Sequence, residues 1–247
     1  MQQVLIVIPA RYGSKRFPGK MLADLKGKSL IYRVYEQVSK VSFPCRIVVA
    51  TDDVRIYEHL RALNVEVEMT REEHQSGTDR CAEVAFMYPG YNWVLNVQGD
   101  EPLIDPAALD HLVEAVTRKG SSIGTLCTLI TRVEDLEDPA KVKVVLSKNG
   151  DALYFSRAMI PYQRDITKKD DWLGSYPYRR HVGVYLFNRE TLLRLTELSE
   201  SPLEKSEKLE QLRWMENGFP ITVLPVTMHD HGIDTPADVE KILPYLD

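Results

Sequence analysis

An apolar run near the start of the chain leads directly into a cluster of positive charge. Val4 to Ile8 are all apolar and mostly β-branched, a pattern typical of a strand buried on both faces of a parallel sheet. We expect Pro9 to end that strand's ladder, since proline has no N–H to donate. Because ligands of open α/β sheets lie beyond the carboxyl ends of the strands, the loop that follows predicts a polyphosphate site. Its cations, which have no acid among them, are Arg11, Lys15, Arg16 and Lys20.

Two common phosphate-binding motifs are absent from this loop. Five residues separate Gly13 from Gly19, where a Walker A loop has four, and Met21 stands where serine or threonine would follow the lysine. No G-x-G-x-x-G pattern follows the strand, so the dinucleotide-binding fingerprint is absent as well. A solvated basic turn remains the alternative interpretation, because lysine and arginine are mostly exposed in proteins.

Composition limits the classes of function. The 247 residues carry a net charge of −5, which argues against general binding of nucleic acid or of a membrane surface. The cysteines are too few and too scattered for a disulfide framework or a C-x-x-C metal site. We expect each of them to be a small core residue: Cys45, Cys81 and Cys127. With neither a long apolar run nor a signal-peptide pattern, the chain is expected to be cytoplasmic.

Strand and helix signals alternate over the first 120 residues. Ser29 is a predicted helix cap, and Asp105-Pro106 predicts a helix that stops at Gly120. Alternation of this kind predicts a parallel sheet with helices on both faces. The predicted strands are 4–8, 47–50, 65–69 and 93–97, and the predicted helices are 29–40, one capped by Asp52 and Asp53, 78–88 and 105–120.

The pattern changes at about residue 123. Asn149-Gly150 predicts a hairpin between strands at 142–146 and 152–155, and residues 161–180 are expected to be an irregular loop. We therefore expect an α/β protein, a single domain over 1–247, in which about 123–185 forms a smaller antiparallel region. The remaining predicted elements are a strand at 181–187, a helix at 190–198, one helix from Pro202 to Gly218 with a Glu204–Lys208 ion pair, and a strand at 221–226.

Two aspartates lie next to the ends of predicted elements in distant parts of the chain. Asp100 follows the strand at 93–97, and Asp234 precedes a helix that begins at Pro236. Mg²⁺ prefers one or two carboxylates together with phosphate oxygens and water, so two acids meeting the cationic loop would make a nucleotide-phosphate site. Each also has an ordinary interpretation: Asp100 as a turn residue, and Asp234 as a helix N-cap.

Several segments, in order along nearly the whole chain, form long and specific motifs: IPARYGSKRFPGK, ATDDVRI, MTREEHQSGTDRCAEV, VLNVQGDEPLI, KVVLSKNGDALYFSRAMIPY, RHVGVY, PLEKSEKLEQLRWMENG and GIDTP. Together they are very similar to the 3-deoxy-D-manno-octulosonate (Kdo) cytidylyltransferases, the CMP-Kdo synthetases. This sequence departs from the usual family pattern at Lys15, Phe17 and Met21, which replace a small hydroxyl residue, leucine and proline, respectively.

The resemblance implies a fold, a reaction and a set of partners. The fold would be a Rossmann-like nucleotidyltransferase domain whose region at about 123–185 contributes to homodimerisation and sugar binding. The reaction would be attack of the C2 hydroxyl of Kdo on the α-phosphorus of CTP, giving CMP-Kdo and pyrophosphate for lipopolysaccharide biosynthesis. The substrates would be the small molecules CTP and Kdo, the cofactor Mg²⁺, and neither nucleic acid nor membrane a partner.

The resemblance also implies roles for individual residues. Lys20 and Arg16 would stabilise charge during catalysis, while Asp100 and Asp234 would hold Mg²⁺. The residues implied to contact CTP are Pro9, Ala10, Arg11, Ser14, Arg16, Lys20, His74, Gln75, Ser76 and Gly77. Those implied to contact the sugar acid are Gln98, Arg157, His181, Tyr185, Glu210 and Gln211.

Some of these residues have ordinary structural interpretations as alternatives, and the function has alternatives as well. His181 is equally consistent with a hydrogen-bonded strand histidine, and Glu210 and Gln211 with a solvated helix face. For the function, one alternative is the same chemistry on 8-amino-Kdo or another keto-acid sugar such as a sialic acid. A second is a non-catalytic nucleotide-binding homologue.

Overall fold

The computed structural model describes residues 3–14, 16–228 and 232–246, so that Lys15 lies outside the described residues. The chain divides into two compact units. The first unit comprises Met1–Val113, Leu186–Thr196 and Met228–Asp247, and the second comprises Glu114–Tyr185 and Glu197–Thr227. No helix in the described ranges is long and apolar enough to cross a membrane.

The described residues form strands, α-helices and short 3₁₀ helices. The strands are β1 (Val4–Ala10), β2 (Asp24–Leu25), β3 (Lys28–Ser29), β4 (Cys45–Thr51), β5 (Val67–Met69), β6 (Trp93–Asn96), β7 (Ile123–Leu129), β8 (Lys143–Leu146), β9 (Ala152–Ser156), β10 (Arg179–Asn188) and β11 (Thr222–Pro225). The helices are α1 (Leu30–Val38), α2 (Val54–Ala62), α3 (Gly77–Met87), α4 (Pro106–Lys119), α5 (Val133–Glu137), α6 (Trp172–Ser175), α7 (Arg189–Thr196), α8 (Pro202–Glu207), α9 (Glu210–Glu216) and α10 (Pro236–Ile242). Short 3₁₀ helices span Lys20–Leu22, Lys169–Asp171 and Leu243–Tyr245.

The first unit is built around β1. This strand pairs in parallel with β4 on one side and with β6 on the other, and β4 pairs in parallel with β5. Residues 4–8 are fully buried, as expected for a strand covered on both faces. Ser29 accepts a hydrogen bond from the N–H of Tyr32 and caps α1, and Asp53 caps α2. The predicted mostly parallel α/β sheet is confirmed.

Pro9 does not end β1, contrary to the sequence prediction. The ladder with β4 continues to the pair Ala10 and Thr51, whereas the ladder with β6 stops at Val7 and Asn96. The carbonyl of Val7 accepts the N–H of Val97, so position 9, two residues on, faces the same β6 side. The N–H that Pro9 lacks would face the β6 side, where pairing has already ended. The ladder between β1 and β4 therefore loses no hydrogen bond at this position.

The second unit contains the antiparallel pairs that the sequence predicts. β8 pairs with β9 across the Asn149-Gly150 turn, and Gly150 has the positive φ of 78° that such a turn favours. β8 also pairs antiparallel with β10, while β11 pairs parallel with β7. Residues 161–180 are more ordered than expected, since they include a 3₁₀ helix and α6. Apolar side chains order this segment by forming a separate cluster: Ile130, Leu136, Trp172 and Tyr178.

The single helix predicted from Pro202 to Gly218 is wrong, because it divides into α8 and α9. Lys208 adopts a left-handed conformation (φ 52°), and its N–H closes the end of α8 on the carbonyl of Glu204 at 2.7 Å. The predicted Glu204–Lys208 pair is wrong for the same reason. Lys208 Nζ instead lies 3.4 Å from Glu200 Oε1, and Glu204 Oε2 lies 3.5 Å from Arg213 Nε.

Cys45 is a second correction. It is exposed at the first position of β4, whereas Cys81 and Cys127 are buried as expected. The local apolar context of Cys45 belongs to the strand interior that follows it. Cys45 itself is at the start of the strand, where its side chain is exposed and not part of the core.

Candidate active site

A cavity of about 390 Å³ lies in the first unit, at the carboxyl ends of β1 and β6. It is the place where a doubly wound sheet is expected to bind ligands. Of the residues predicted to contact CTP, all line it except Ala10, which is buried in β1. The lining comprises Pro9, Arg11, Gly13, Ser14, Arg16, Lys20, Met21, His74, Gln75, Ser76, Gly77, Arg80, Gln98, Gly99, Asp100 and Asp234.

Lys20 is the centre of charge in this cavity. Its side chain is only 7% exposed, and its Nζ lies 2.7 Å from Asp100 Oδ2 and 3.9 Å from Asp234 Oδ1. Nζ also donates to the carbonyl of Ile233 at 2.8 Å. Arg16 reaches the same Asp234 oxygen with Nη2 at 2.8 Å. Two cations from the loop and two acids from distant parts of the chain therefore lie together in this cavity.

Close backbone packing places the two acids. A Cβ added to Gly99 would lie 2.8 Å from the carbonyl oxygen of Pro9, so only glycine allows the turn before Asp100 to approach the end of β1. The N–H of Ile233 donates to the carbonyl of Asp100 at 2.9 Å, which links the two acidic segments. Thr235, and not Asp234, is the N-cap of α10, so the carboxylate of Asp234 is directed to the cavity.

Replacing Gly99 with alanine is expected to lower both stability and activity. The added methyl group must displace Pro9 or the Asp100 turn, and such overpacking lowers the free energy of unfolding by about 1–3 kcal/mol. Gly90→Ala is the matched control, because nothing lies within 4 Å of its Cβ position and its φ is not positive. Denaturant unfolding and turnover measure both variants. Equal effects of the two substitutions would contradict the packing argument.

The HQSG segment, residues 74–77, lines the cavity and leads into α3, which begins at Gly77. Ser76 caps the helix and forms a capping box with Asp79, each side chain bonding the other's N–H at 3.1 Å. The ring of His74 is hydrogen-bonded to Glu83, which also accepts the N–H of Arg71 at 3.1 Å. Although burial opposes it, these bonds lower the pKa of Glu83. The segment is therefore fixed before any ligand binds.

Arg80 lines the cavity and was not singled out by the sequence analysis. It lies on the buried side of α3 with 4% exposure, and its Nη2 is 2.5 Å from Asp52 Oδ2. Its Nη1 donates to Thr70 Oγ1. The available signal is an arginine among inward-facing apolar residues of α3, which implies a buried anionic partner. That partner, Asp52, is the residue directly before the cap of α2.

The residues predicted for the sugar acid are divided between the two units. Gln98 lines the cavity of the first unit, and the other five belong to the second. There the ring of His181 contacts those of Phe155 and Tyr185, at centroid distances of 5.1 and 5.2 Å. Tyr185 in turn contacts Trp214 at 5.1 Å. Burial, and then the carboxylate of Glu210, raise the pKa of Tyr185, so it stays a neutral phenol.

Arg157 is held by main-chain carbonyl groups. Its guanidinium donates to the carbonyls of Glu207 at 2.7 Å, Pro139 at 3.0 Å and Lys208 at 3.2 Å. Glu210 is the first residue of α9 and accepts from Arg213 Nη2 at 2.9 Å, while Gln211 is buried. Arg157 thus braces the turn between α8 and α9. Its predicted contact with a sugar carboxylate stays a prediction.

His181 makes the stability of the protein depend on pH. Burial lowers the pKa of His181 to about 3, and its Nε2 is 3.0 Å from Thr125 Oγ1. An unfolded chain protonates this histidine below pH ~6.5, but the folded chain does not until about 3, so stability is lost as pH falls between those values. From pH 7.5 to 5.0 we expect this group to lower the free energy of unfolding by about 2 kcal/mol. Denaturant unfolding of His181→Gln should lack that loss; identical pH profiles would contradict it.

Comparison with known proteins gives first the class of this chain. Residues 5–227 match the family model described as Cytidylyltransferase, and the cavity lies at the carboxyl ends of parallel strands, where open α/β sheets bind their ligands. Among curated relatives, the 3-deoxy-manno-octulosonate cytidylyltransferase of Parabacteroides distasonis is 44% identical, covering 100% of this chain and 99% of the relative. That of Porphyromonas gingivalis is 45% identical, covering 99% and 96%.

A solved structure points to the same group within that class. The structure of CMP:2-keto-3-deoxy-manno-octonic acid synthetase complexed with CTP superposes with a TM-score of 0.91 at 39% identity, covering 99% of this chain and 98% of the other. This chain belongs to the 3-deoxy-manno-octulosonate cytidylyltransferase family. The resemblance found in the sequence is confirmed.

Proposed function

We propose that this protein transfers CMP from CTP to the C2 hydroxyl of Kdo and releases pyrophosphate. The observation that carries the proposal is the convergence of Lys20, Asp100 and Asp234 in one cavity of the first unit. Relatives that are named for this activity match along the whole chain, which supports the choice of nucleotide and sugar. The product, CMP-Kdo, would serve lipopolysaccharide biosynthesis.

In this reaction the protein has mainly to position the two substrates and to stabilise the negative charge of the transition state. The C2 oxygen forms a bond to the α-phosphorus, the bond from that phosphorus to the bridging oxygen breaks, and the hydroxyl proton is released. Lys20 is suited to the charge that develops on the α-phosphate and leaving group, because a side chain 7% exposed is little screened by water. Arg11, Ser14 and Arg16, which line the same cavity, would hold the outer phosphates.

We infer that Mg²⁺ binds with the nucleotide, held by Asp100 and Asp234. Both carboxylates lie within 4 Å of the Lys20 ammonium, and a triphosphate placed there would be repelled by them. A divalent cation between carboxylate and phosphate oxygens removes that repulsion, and two carboxylates are the donor set that Mg²⁺ prefers. Among the described residues no cluster of three or more His, Cys, Asp or Glu suits a metal, so phosphate and water would complete its coordination. When bound, Mg²⁺ would polarise the α-phosphate and acidify the sugar hydroxyl.

The cytosine base is expected to be bound by fixed main-chain and side-chain groups. The HQSG segment, Pro9 and Arg11 line the cavity, and a Cβ added to Gly77 would lie only 3.3 Å from Pro9 Cγ, so these two segments are closely packed. For the sugar acid we keep the residues that the family resemblance implies. These are Gln98 in the first unit, and Arg157, His181, Tyr185, Glu210 and Gln211 in the second.

Pyrophosphate release tests the proposed function. The protein is incubated with CTP and Mg²⁺, and separately with Kdo, 8-amino-Kdo and a sialic acid as acceptors. We expect fast release with Kdo, none without metal, and much less with CTP replaced by UTP. Release with 8-amino-Kdo or the sialic acid but not with Kdo would overturn the acceptor, and no release with any acceptor would favour a non-catalytic nucleotide-binding protein.

We also infer the setting of the reaction. A homodimer is proposed on the family resemblance, and light scattering of the purified protein at micromolar concentration tests it. We propose a cytoplasmic location because CTP, the proposed substrate, is present in the cytoplasm.

A further inference from the structure

A contact between a ring and a cation lies beside the cationic loop. The guanidinium carbon of Arg55 is 3.3 Å from the centroid of the Tyr12 ring, well inside the range of about 6 Å over which a cation is attracted to an aromatic face. Neither residue is among the described residues that line the cavity. The Arg55 side chain is 56% exposed, so burial alone does not dictate its orientation.

Asp53 fixes the guanidinium in that orientation. As the N-cap of α2, its Oδ1 accepts the N–H and the Nε of Arg55, both at 2.9 Å, and its Oδ2 accepts Nη2 at 2.6 Å. This is a planar, two-pronged contact, which restricts rotation of the arginine more than a single bond would. The Arg55 side chain is the main cause that lowers the pKa of Asp53. The cation is thereby held flat at the first turn of a helix.

Tyr12 in turn connects the two ends of the loop. Its carbonyl accepts the N–H groups of Ser14 at 3.0 Å and of Gly19 at 3.2 Å. Its ring lies against Gly19, where a Cβ would be only 3.0 Å from the phenolic oxygen and where φ is +70°. The next residue is Lys20. A tyrosine fixed by Arg55 therefore fixes the backbone immediately before the central lysine.

We propose that Arg55 and Tyr12 form a clamp that positions the cationic loop for the triphosphate of the nucleotide. Both are positioning residues, acting through Ser14, Arg16 and Lys20. The identity of the ligand, CTP, rests on the proposed function. A loop ordered in advance loses less conformational entropy on binding, and such preorganisation increases affinity. The clamp thus links the first turn of α2 to nucleotide affinity.

Calorimetry with CTP measures the clamp independently of the sugar acceptor. We expect Arg55→Ala and Tyr12→Leu each to weaken CTP binding by about three- to tenfold. The double variant should be little worse than Tyr12→Leu alone, because each single variant already removes the contact between the guanidinium and the ring. Tyr12→Phe keeps the ring and should bind CTP nearly as well as the unchanged protein. The KM for the sugar acid should stay the same in all of them, with the KM for CTP rising.

Arg61→Ala is the matched control. It removes the same charge from the last turn of the same helix, at an exposed position. If it weakens CTP binding as much as Arg55→Ala does, the effect is one of net charge and the clamp is wrong. Fully additive losses in the double variant would be equally decisive against it.

Amide hydrogen exchange separates failure of the clamp from failure of the proposed function. In the nucleotide-free protein, Arg55→Ala should speed exchange in a peptide covering residues 11–20 by about three- to tenfold, without a similar change in β4. Unchanged exchange there overturns the clamp, whatever the protein binds. If the unchanged protein binds no CTP but the exchange result holds, the proposed function fails and the clamp stands.

Discussion

Lys20→Met is expected to lower kcat by about a hundred- to a thousandfold while the protein stays folded. Methionine keeps an unbranched apolar side chain close to the length of the lysine stem but removes the ammonium that lies between Asp100 and the carbonyl of Ile233. The lost charge is one that the transition state needs more than bound CTP does, so kcat should fall more than KM rises. Steady-state pyrophosphate release, with circular dichroism to check the fold, measures this.

Lys40→Met controls for the loss of one positive charge. Lys40 is exposed just after the end of α1, where its Nζ donates to Gln37 Oε1 at 2.6 Å. We expect its turnover to equal that of the unchanged protein. An undiminished kcat in Lys20→Met would mean that another cation of the cavity stabilises the developing charge.

Asp100→Asn and Asp234→Asn are each expected to reduce turnover by at least about a thousandfold. An amide keeps the size of the side chain but loses the charge that would hold the proposed Mg²⁺ beside the phosphates. CTP binding to the same variants should also no longer depend on Mg²⁺, since each variant lacks one of the two carboxylates proposed to bind the ion. Calorimetry with and without Mg²⁺ measures that second effect directly.

Asp110→Asn is the control for these two variants. Asp110 is partly buried on α4, away from the cavity lining, and accepts the N–H of the exposed Ser42 at 2.8 Å. Its replacement should leave both turnover and the Mg²⁺ dependence unchanged. Full activity in either Asp100→Asn or Asp234→Asn would remove that residue from the metal site.

Local signals in the sequence were sufficient for most of the elements. The apolar run at Val4–Ile8, the cap at Ser29 and the Asn149-Gly150 turn each depend on neighbouring residues, and each predicted its element correctly. Lys208 shows the limit of such reasoning. Its left-handed conformation is braced by Arg157, about fifty residues earlier, and no periodicity within 202–218 reports that contact.

The candidate site shows the same division. Asp100 and Asp234 each had an ordinary interpretation, and only the family resemblance brought them to Lys20, which is 80 residues from Asp100. Arg80 and Arg55 were missed because their partners, Asp52 and Asp53, looked like a simple helix cap. The family resemblance implies which residues contact ligands. The residues that position them, such as Arg80 and Arg55, are found only from side-chain contacts in the structure.

Those two adjacent aspartates make the length of the junction between β4 and α2 critical. Asp52 holds Arg80 on one wall of the cavity, and Asp53 holds Arg55 and, through it, the loop on another. Neighbouring residues of an extended chain point in opposite directions and are about 3.3 Å apart. Inserting or deleting one residue here would reverse which acid faces which arginine and misalign both walls together, so this junction is a poor place for evolution to vary loop length.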